Sequence, residues 1–185
     1  VLFRSIKPIV GIEAYMAPET RHKRESTGAK DGGYHLLLLA ENEQGYRNLL
    51  KLGSIAYTEG FYYKPRIDKE VLRAHSKGLI ATSACLGGEI PSALMQDNRK
   101  KAKEIAEIYL ELFGPDRFFI EVQKHIAEQD QVNPELMDLA DRLGVGVVAT
   151  NDVHFLLEDD HKPHDALCCI STGKLVSDES RMKYP

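Results

Sequence analysis

The chain has 185 residues, of which 43% are hydrophobic and 28% charged, and its net charge is −4. These proportions are typical of a folded globular domain and exclude long disordered regions. The negative charge excludes nucleic-acid binding driven by an overall positive field, but not a local basic patch. No apolar run approaches the roughly 18 residues that span a membrane, so we expect no membrane partner. Three cysteines, two of them adjacent, favour reduced thiols in a cytoplasm over a disulfide framework.

Apolar patterns predict strands and helices in alternation. The predicted strands are residues 8–17, 34–40, 78–84, 117–123 and 145–150. The predicted helices are residues 41–57, 68–75, 90–95, 99–113, 133–143 and 164–171, the last behind Pro163 in its first turn. This order indicates an α/β fold with a largely parallel sheet of about five strands. Five strands suffice for an open sheet but not for an eight-stranded barrel, so the sheet is open or the chain is part of a barrel.

The segment ATNDVHF, residues 149–155, is the strongest chemical signal. Asp152 and His154 follow an apolar strand and are two residues apart, so in an extended chain their side chains leave the same face. A carboxylate and an imidazole placed in this way can bind one metal ion. The alternative is that Asp152 caps a turn and His154 lies in an ordinary loop.

Three other candidate metal ligands lie in or next to earlier strands. Glu13 interrupts the first strand, His35 opens the second, and Cys85 follows the third. In α/β proteins the site lies beyond the carboxyl ends of the strands, which suits Cys85 but not His35. A mixed His, Asp, Glu and Cys set suits zinc, manganese or iron better than magnesium or calcium. Against this, His35 and Cys85 are also ordinary core residues, whereas a buried Glu13 needs a partner or a metal.

Two residues of the fourth strand region, Glu121 and His125, are candidates for positions next to the site. They alternate with apolar residues, which is also the pattern of a half-exposed strand. His161 and His164 open the last helix and could reach the same metal, although this is the less favoured interpretation.

A different signal comes from the segment between the first two helices, which interleaves aromatic and basic residues. Tyr62, Tyr63, Lys64 and Arg66 suit contact with a nucleic-acid base or backbone. They equally suit a loop packed against a neighbouring domain, and both interpretations stay open. The cations of the loop at residues 19–33 are better explained as a solvated charged loop than as a DNA contact.

Three motifs, YTEGFYYKPRID, GLIATSACLGGEIP and VATNDVHF, occur in this order. Together they closely resemble the polymerase-and-histidinol-phosphatase (PHP) domains of bacterial DNA polymerase III alpha subunits, and the resemblance covers the chain from about residue 6 to 185. It implies part of a distorted (β/α)7 barrel with up to three metal ions in an open cleft. By position it implies metal ligands at Glu13, His35, Cys85, Asp152 and His154, with His125 near the site.

The resemblance also implies the nature of the parent protein. It is expected to be a cytoplasmic DNA-directed DNA polymerase, a nucleotidyltransferase that uses magnesium for DNA replication. Its partners would be DNA, the sliding clamp, the proofreading subunit and other holoenzyme subunits. The PHP site would bind zinc or manganese and support 3′–5′ exonuclease chemistry or a structural role.

Two departures from the family pattern suggest a partial domain. The His-x-His and Thr-Asp-His motifs that open such domains are missing, so we expect the first β/α units to lie outside this chain. Residues 1–5 do not match the family and are interpreted as an artefact, which leaves residues 6–185 as a partial PHP domain. The chain contains no catalytic residue for polymerisation, and alone it is expected to bind metal weakly and to hydrolyse nothing.

Three hypotheses follow. The chain is a piece of a replicative polymerase, or a stand-alone phosphoesterase of histidinol-phosphatase type, or a non-catalytic scaffold that braces a polymerase. The GFYYKPRID motif favours the first over the second, and the third is compatible with the first. Reading the gene past Pro185 separates the first two, because a stand-alone enzyme should meet a stop codon.

Overall fold

The computed structural model describes residues 7–25 and 32–184, so the predicted unmatched start at residues 1–5 lies outside the described residues. Within them, strands alternate with helices as predicted. The strands are Gly11–Met16 (β1), Tyr34–Ala40 (β2), Arg66–Ile67 (β3), Leu79–Thr82 (β4), Phe118–Val122 (β5) and Gly146–Ala149 (β6). The helices are Glu43–Thr58 (α1), Lys69–His75 (α2), Glu89–Met95 (α3), Arg99–Phe113 (α4), Ala127–Leu143 (α5) and His161–Thr172 (α6).

The six described strands form one mixed sheet in the order β3-β1-β2-β4-β5-β6. Strand β2 is antiparallel to β1 and β4, and the other neighbouring pairs are parallel. Five strands therefore point in one direction and β2 alone in the other. The sheet confirms the predicted α/β class and is consistent with part of a barrel. The expected strand number was too low, because the two-residue strand β3 is too short to produce an apolar pattern.

The reversed direction of β2 explains the position of His35, which the sequence left unexplained. His35 pairs with Tyr15 near the carboxyl end of β1. Leu37, two residues later, pairs with Thr82 at the carboxyl end of β4. The start of an antiparallel strand lies at the same edge as the ends of its neighbours. His35 therefore lies at the carboxyl edge with the other candidates.

The two faces of the sheet differ in burial. Ala14 and Met16 of β1 and Leu36 and Leu38 of β2 lie in the hydrophobic core, where α1, α4 and α5 pack on the sheet. Because side chains alternate along a strand, Glu13, Tyr15, His35 and Leu37 lie on the opposite face. That face remains partly accessible to solvent, and it carries the polar residues of the candidate site.

Two helix starts differ from the predicted ones by three residues or more. Helix α5 begins at Ala127, six residues before the predicted start, and continues through Pro134. The Gln129 side chain accepts hydrogen bonds from the backbone N–H groups of His125 and Ile126, which fixes the first turn. The apolar pattern used for the prediction began only at residue 133, and it did not record this cap. Helix α6 begins three residues early, with Pro163 in its first turn as predicted.

The predicted cap of the second helix is confirmed. Asp68 caps α2, since its carboxylate accepts a hydrogen bond of 3.1 Å from the Val71 N–H. The three cysteines are free thiols. Among the described helices, none is both long and apolar enough to cross a membrane.

Candidate functional site

Three of the candidate metal ligands meet around one nitrogen atom. His35 Nδ1 lies 2.8 Å from Glu13 Oε1 and 3.4 Å from Cys85 Sγ. Glu13 comes from β1, His35 from β2 and Cys85 from the turn that follows β4, so three elements contribute. The Glu13 side chain is 45% exposed, which corrects the expectation that it lies in a buried strand. His35 is the partner that Glu13 was expected to need.

These contacts change the acid–base behaviour of the pair. The hydrogen bonds from His35 to Cys85 and to Glu13 outweigh partial burial and raise the pKa of His35 to about 10. The same hydrogen bond with His35 holds the pKa of Glu13 below its usual value, against the effect of burial. At neutral pH the pair is therefore an imidazolium bound to a carboxylate.

Four acidic or thiol side chains line one cavity at this edge. The cavity has a volume of about 300 Å³, and its walls include Glu13, Cys85, Glu121 and Asp152. Asp152 was predicted from the DVH motif and lies beside Glu13 and Cys85 although about 70 residues or more separate them in sequence. Glu121 is only 5% exposed, so it is not the half-exposed strand residue of the alternative interpretation.

His154, the second residue predicted from the DVH motif, does not line this cavity, although Asp152 and Val153 do. Its Nδ1 lies 2.6 Å from the backbone oxygen of Asp152, a residue with a left-handed φ of 46°. The contact leaves Nε2 as the nitrogen that can bind a further group. The His154 ring packs 4.1 Å from the ring of Tyr184 and 5.9 Å from that of His164, measured between centroids. His164 therefore comes close to the site, as the less favoured interpretation allowed.

His125 lies on the other side of the DVH segment. It lines a second cavity of about 360 Å³ together with Asp152 and His154. It does not line the cavity that contains Glu13 and Cys85. His125 is therefore adjacent to the predicted ligands without converging on them.

The aromatic and basic segment divides into buried and exposed residues. Arg66 is 2% exposed, and its guanidinium donates to the backbone oxygens of Gly60 and Lys23 and stacks 4.9 Å from the Tyr62 ring. Arg66 thus holds the loop together rather than facing a ligand. Tyr63 and Lys64 are exposed and remain candidates for a contact.

The nearby charged loop is also less solvated than expected. Arg21 is 9% exposed and bridges Glu59, Asp68 and Glu70, which corrects its interpretation as a solvated residue. Lys30 of the same loop lies outside the described residues.

The side chains at this edge are of types that bind divalent metals. Glu13 and His35, however, lie closer together than two ligands of one metal ion would. No group of three or more His, Cys, Asp or Glu side chains in residues 7–25 and 32–184 is spaced to hold an ion. Two ligands of a tetrahedral zinc ion are about 3.3 Å apart, given metal–ligand distances near 2 Å. The 2.8 Å between Glu13 and His35 is a proton-sharing distance. A metal would therefore have to replace that proton and move the two side chains apart.

Two aromatic neighbours of the site were not predicted. The Tyr15 ring packs edge-on to His35, with centroids 5.2 Å apart, and Lys64 Nζ lies 5.5 Å from the Tyr15 centroid. The signal for Tyr15 was its position two residues after Glu13, on the same face of β1. No sequence pattern indicated Tyr184. It lies beyond α6, and only the tertiary structure shows that the chain there returns to His154.

Comparison with known proteins assigns the family. The family model described as PHP domain matches residues 3–125, about two thirds of the chain. The chain belongs to the PHP family. The PHP match covers Glu13, His35, Cys85, Glu121 and His125, whereas the DVH segment lies beyond it.

Relatives of known name extend the similarity over almost the whole chain. DNA polymerase III subunit alpha of Treponema pallidum is 49% identical over 180 residues, and that of Thermus aquaticus is 48% identical over 182. Each alignment covers 97% of this PHP chain but only 15% of the relative. The protein of Borreliella burgdorferi is 48% identical over 179 residues, 96% of this chain and 16% of that protein.

Proposed function

We propose that this chain is the PHP region of a bacterial DNA polymerase III alpha subunit. The observation that carries the proposal is the 47–49% identity to alpha subunits of several bacteria over at least 96% of the chain. The whole protein would be a cytoplasmic DNA-directed DNA polymerase, with DNA, the sliding clamp and the proofreading subunit as partners. Magnesium would serve its polymerase site, to which this region contributes no catalytic residue.

For the PHP region itself we propose a divalent-metal site at the carboxyl edge of the sheet. Glu13, His35, Cys85, Asp152 and His154 would hold zinc or manganese. A bound divalent ion would polarise a phosphodiester and lower the pKa of water, as 3′–5′ exonuclease chemistry requires. His35 must first lose the proton that it shares with Glu13. Since the carbonyl oxygen of Asp152 fixes Nδ1 of His154, Nε2 is left for binding.

Substitution in the full-length protein tests this assignment. The double variant Asp152→Ala/His154→Ala should lose metal-dependent nuclease activity and keep polymerisation, because the polymerase site lies in another region. The matched control is Asp138→Ala/His75→Ala, which removes one aspartate and one histidine remote from the edge. Loss of both activities in the first variant alone would contradict a catalytic role and indicate a structural one.

The alternative function is a stand-alone phosphoesterase. Zinc and manganese content of this 185-residue chain, compared with a version extended at its amino terminus, distinguishes the two. We expect metal only in the longer version, because the described ligands do not form a complete cage. Tight binding and hydrolysis by the short chain would favour the stand-alone enzyme, as would a stop codon directly after Pro185.

A further inference from the structure

We propose that Glu121 is a positioning residue that fixes the loops carrying Cys85 and Asp152 relative to each other. This inference rests on the proposed metal site and goes beyond the ligand set assigned to it. Glu121 lies on β5, between β4 and β6 in the sheet, and this buried residue forms part of the wall of the cavity that Cys85 and Asp152 also line.

The first connection runs to the loop after β4. Thr82, the last residue of β4, donates its hydroxyl proton to Glu121 Oε2, and the same hydroxyl oxygen accepts the Ala84 N–H at 3.2 Å. The Glu121 N–H donates to Ser83 Oγ at 2.8 Å. Ala84 has a left-handed φ of 58°, an unfavourable conformation for a residue with a Cβ. These bonds hold the turn that directs Cys85 toward His35.

The second connection runs to the loop after β6. Thr150 donates its hydroxyl proton to Glu121 Oε1 at 2.5 Å, and its N–H donates to the Val122 oxygen at 3.1 Å. Thr150 immediately follows β6 and precedes Asp152 by two residues. The Glu121 carboxylate therefore fixes the start of the DVH segment as well as the turn that contains Cys85.

The third connection extends to the loop after β5. Gln123 Nε2 donates to Glu121 Oε1 at 2.9 Å, and Gln123 Oε1 accepts from Gln129 at 3.0 Å. Gln129 in turn fixes the start of α5 next to His125. One carboxylate thus joins the loops that follow three adjacent parallel strands.

The buried negative charge of Glu121 favours a cation in the adjoining cavity. Its described side-chain hydrogen-bond partners are all neutral, namely the hydroxyls of Thr82 and Thr150 and the amide of Gln123. A buried carboxylate with neutral donors alone is costly. A cation in the adjoining cavity would offset this cost. Since threonine and glutamine donors occupy both oxygens, Glu121 would act on such a cation through the side chains that it positions.

Cobalt binding to the full-length protein tests the proposal, with Cys85→Ser as the baseline for the thiolate-to-cobalt absorption band. Glu121→Ala should weaken cobalt affinity by about 10–100-fold, the usual effect of removing a partner of a metal ligand. It should also reduce the band, because Cys85 is no longer held in place. Glu121→Gln keeps an oxygen for Thr150 and Gln123, and its amide can donate to Thr82. It should therefore recover the part of the affinity that depends on positioning, although the negative charge is lost.

The matched control removes another buried hydrogen bond to a carboxylate. Tyr109→Phe deletes the hydroxyl that donates to Glu89 in the core between α3 and α4, away from the cavity. Hydrogen exchange gives a second readout that needs no metal. Glu121→Ala should speed exchange at residues 83–88 and 150–154. Tyr109→Phe should leave residues 150–154 unchanged, because Glu89 directly follows only the first of these segments.

The outcomes are distinct. Unchanged affinity and exchange in Glu121→Ala would overturn the inference while the metal site stands. Equal effects of Tyr109→Phe would also overturn it, since general destabilisation would then suffice. If Glu121→Gln binds as weakly as Glu121→Ala, the carboxylate is itself a ligand and the positioning role is wrong. A parent protein that shows no Cys85-dependent cobalt binding would refute the proposed metal site, and the inference with it.

Discussion

Asp68 shows how one buried residue can tie two segments together. Its carboxylate caps α2 and also accepts hydrogen bonds from the backbone and guanidinium of Arg21. Burial alone would raise the pKa of Asp68, but the hydrogen bonds of Arg21 and Val71 and the Arg21 charge outweigh it and lower the pKa. Asp68 therefore contributes stability that depends on its ionised form.

The sign of the pH dependence follows from this lowered pKa. The contribution of Asp68 is fully present above about pH 4 and is lost as the pH falls through the folded pKa, because the unfolded state then binds the proton more tightly. Asp68→Asn should lower the free energy of unfolding by about 1–3 kcal/mol at pH 7 and by less at acid pH. Urea titrations from pH 3 to 7 measure this, with the exposed Asp138→Asn as control. An equal loss at every pH would show that charge is not involved.

Arg66 provides a second test at the residue scale. Its guanidinium donates to the backbone oxygens of Gly60, Arg21 and Lys23. The single ammonium group of a lysine cannot reproduce these hydrogen bonds, because it lacks the planar arrangement of several N–H donors. We expect Arg66→Lys to lower the free energy of unfolding by about 1–3 kcal/mol, because buried carbonyls lose donors. Tyr63→Ala, at an exposed position in the same loop, should change stability by about 0.5 kcal/mol or less. Full stability of Arg66→Lys with weakened DNA binding would indicate a ligand contact instead.

At the scale of elements, two glycines of α1 have opposite surroundings. A Cβ on Gly45 would lie 1.8 Å from the backbone oxygen of Gly78, so α1 can approach the start of β4 only with glycine there. A Cβ on Gly53 would meet no atom within 4 Å. The close approach places α1 against the sheet and completes the core face opposite Glu13 and His35.

Alanine substitution separates helix propensity from packing in this helix. Gly53→Ala should raise the free energy of unfolding by up to about 1 kcal/mol, because alanine has the higher helix propensity. Gly45→Ala should lower it by about 2 kcal/mol or more, since the clash is with backbone that cannot rotate away. Thermal unfolding of both variants measures the difference. A stabilised Gly45→Ala would mean that α1 does not pack against β4 as described.

On the scale of the whole molecule, the carboxyl-terminal part of the described chain leaves apolar side chains uncovered. Leu167 and Ile170 on α6 are 63% and 78% exposed, and Leu175 and Val176 beyond the helix are also exposed. Leu167 and Ile170 are three residues apart and therefore share a helix face. Exposed apolar side chains grouped on one helix face promote association.

We expect the isolated 185-residue chain to self-associate as its concentration rises. Leu167→Lys/Ile170→Lys should reduce the association, measured by light scattering or sedimentation, because it places two charges on the patch. Met137→Lys, at a single exposed apolar position on α5, is the matched control and should have little effect. A chain that remains monomeric at high concentration would contradict the expectation.

The sequence by itself determined the local elements and the chemical type of the candidate ligands. Strand β2 and helix α4 have the predicted bounds, because their apolar periodicity is continuous and their ends carry clear breakers. Local pattern failed where distant contacts decide structure. Strand β3 exists only through pairing with β1, and α5 starts early because Gln129 caps it and joins the Glu121 network.

Only the tertiary structure decided how the candidates meet. The sequence named Glu13, His35, Cys85, Asp152 and His154, and it could not show that β2 runs against its neighbours. That reversal carries His35 to the carboxyl edge, where it binds Glu13 and Cys85. The physical reason is that strand direction and loop position are set by hydrogen bonds between residues far apart in sequence, which no local periodicity records.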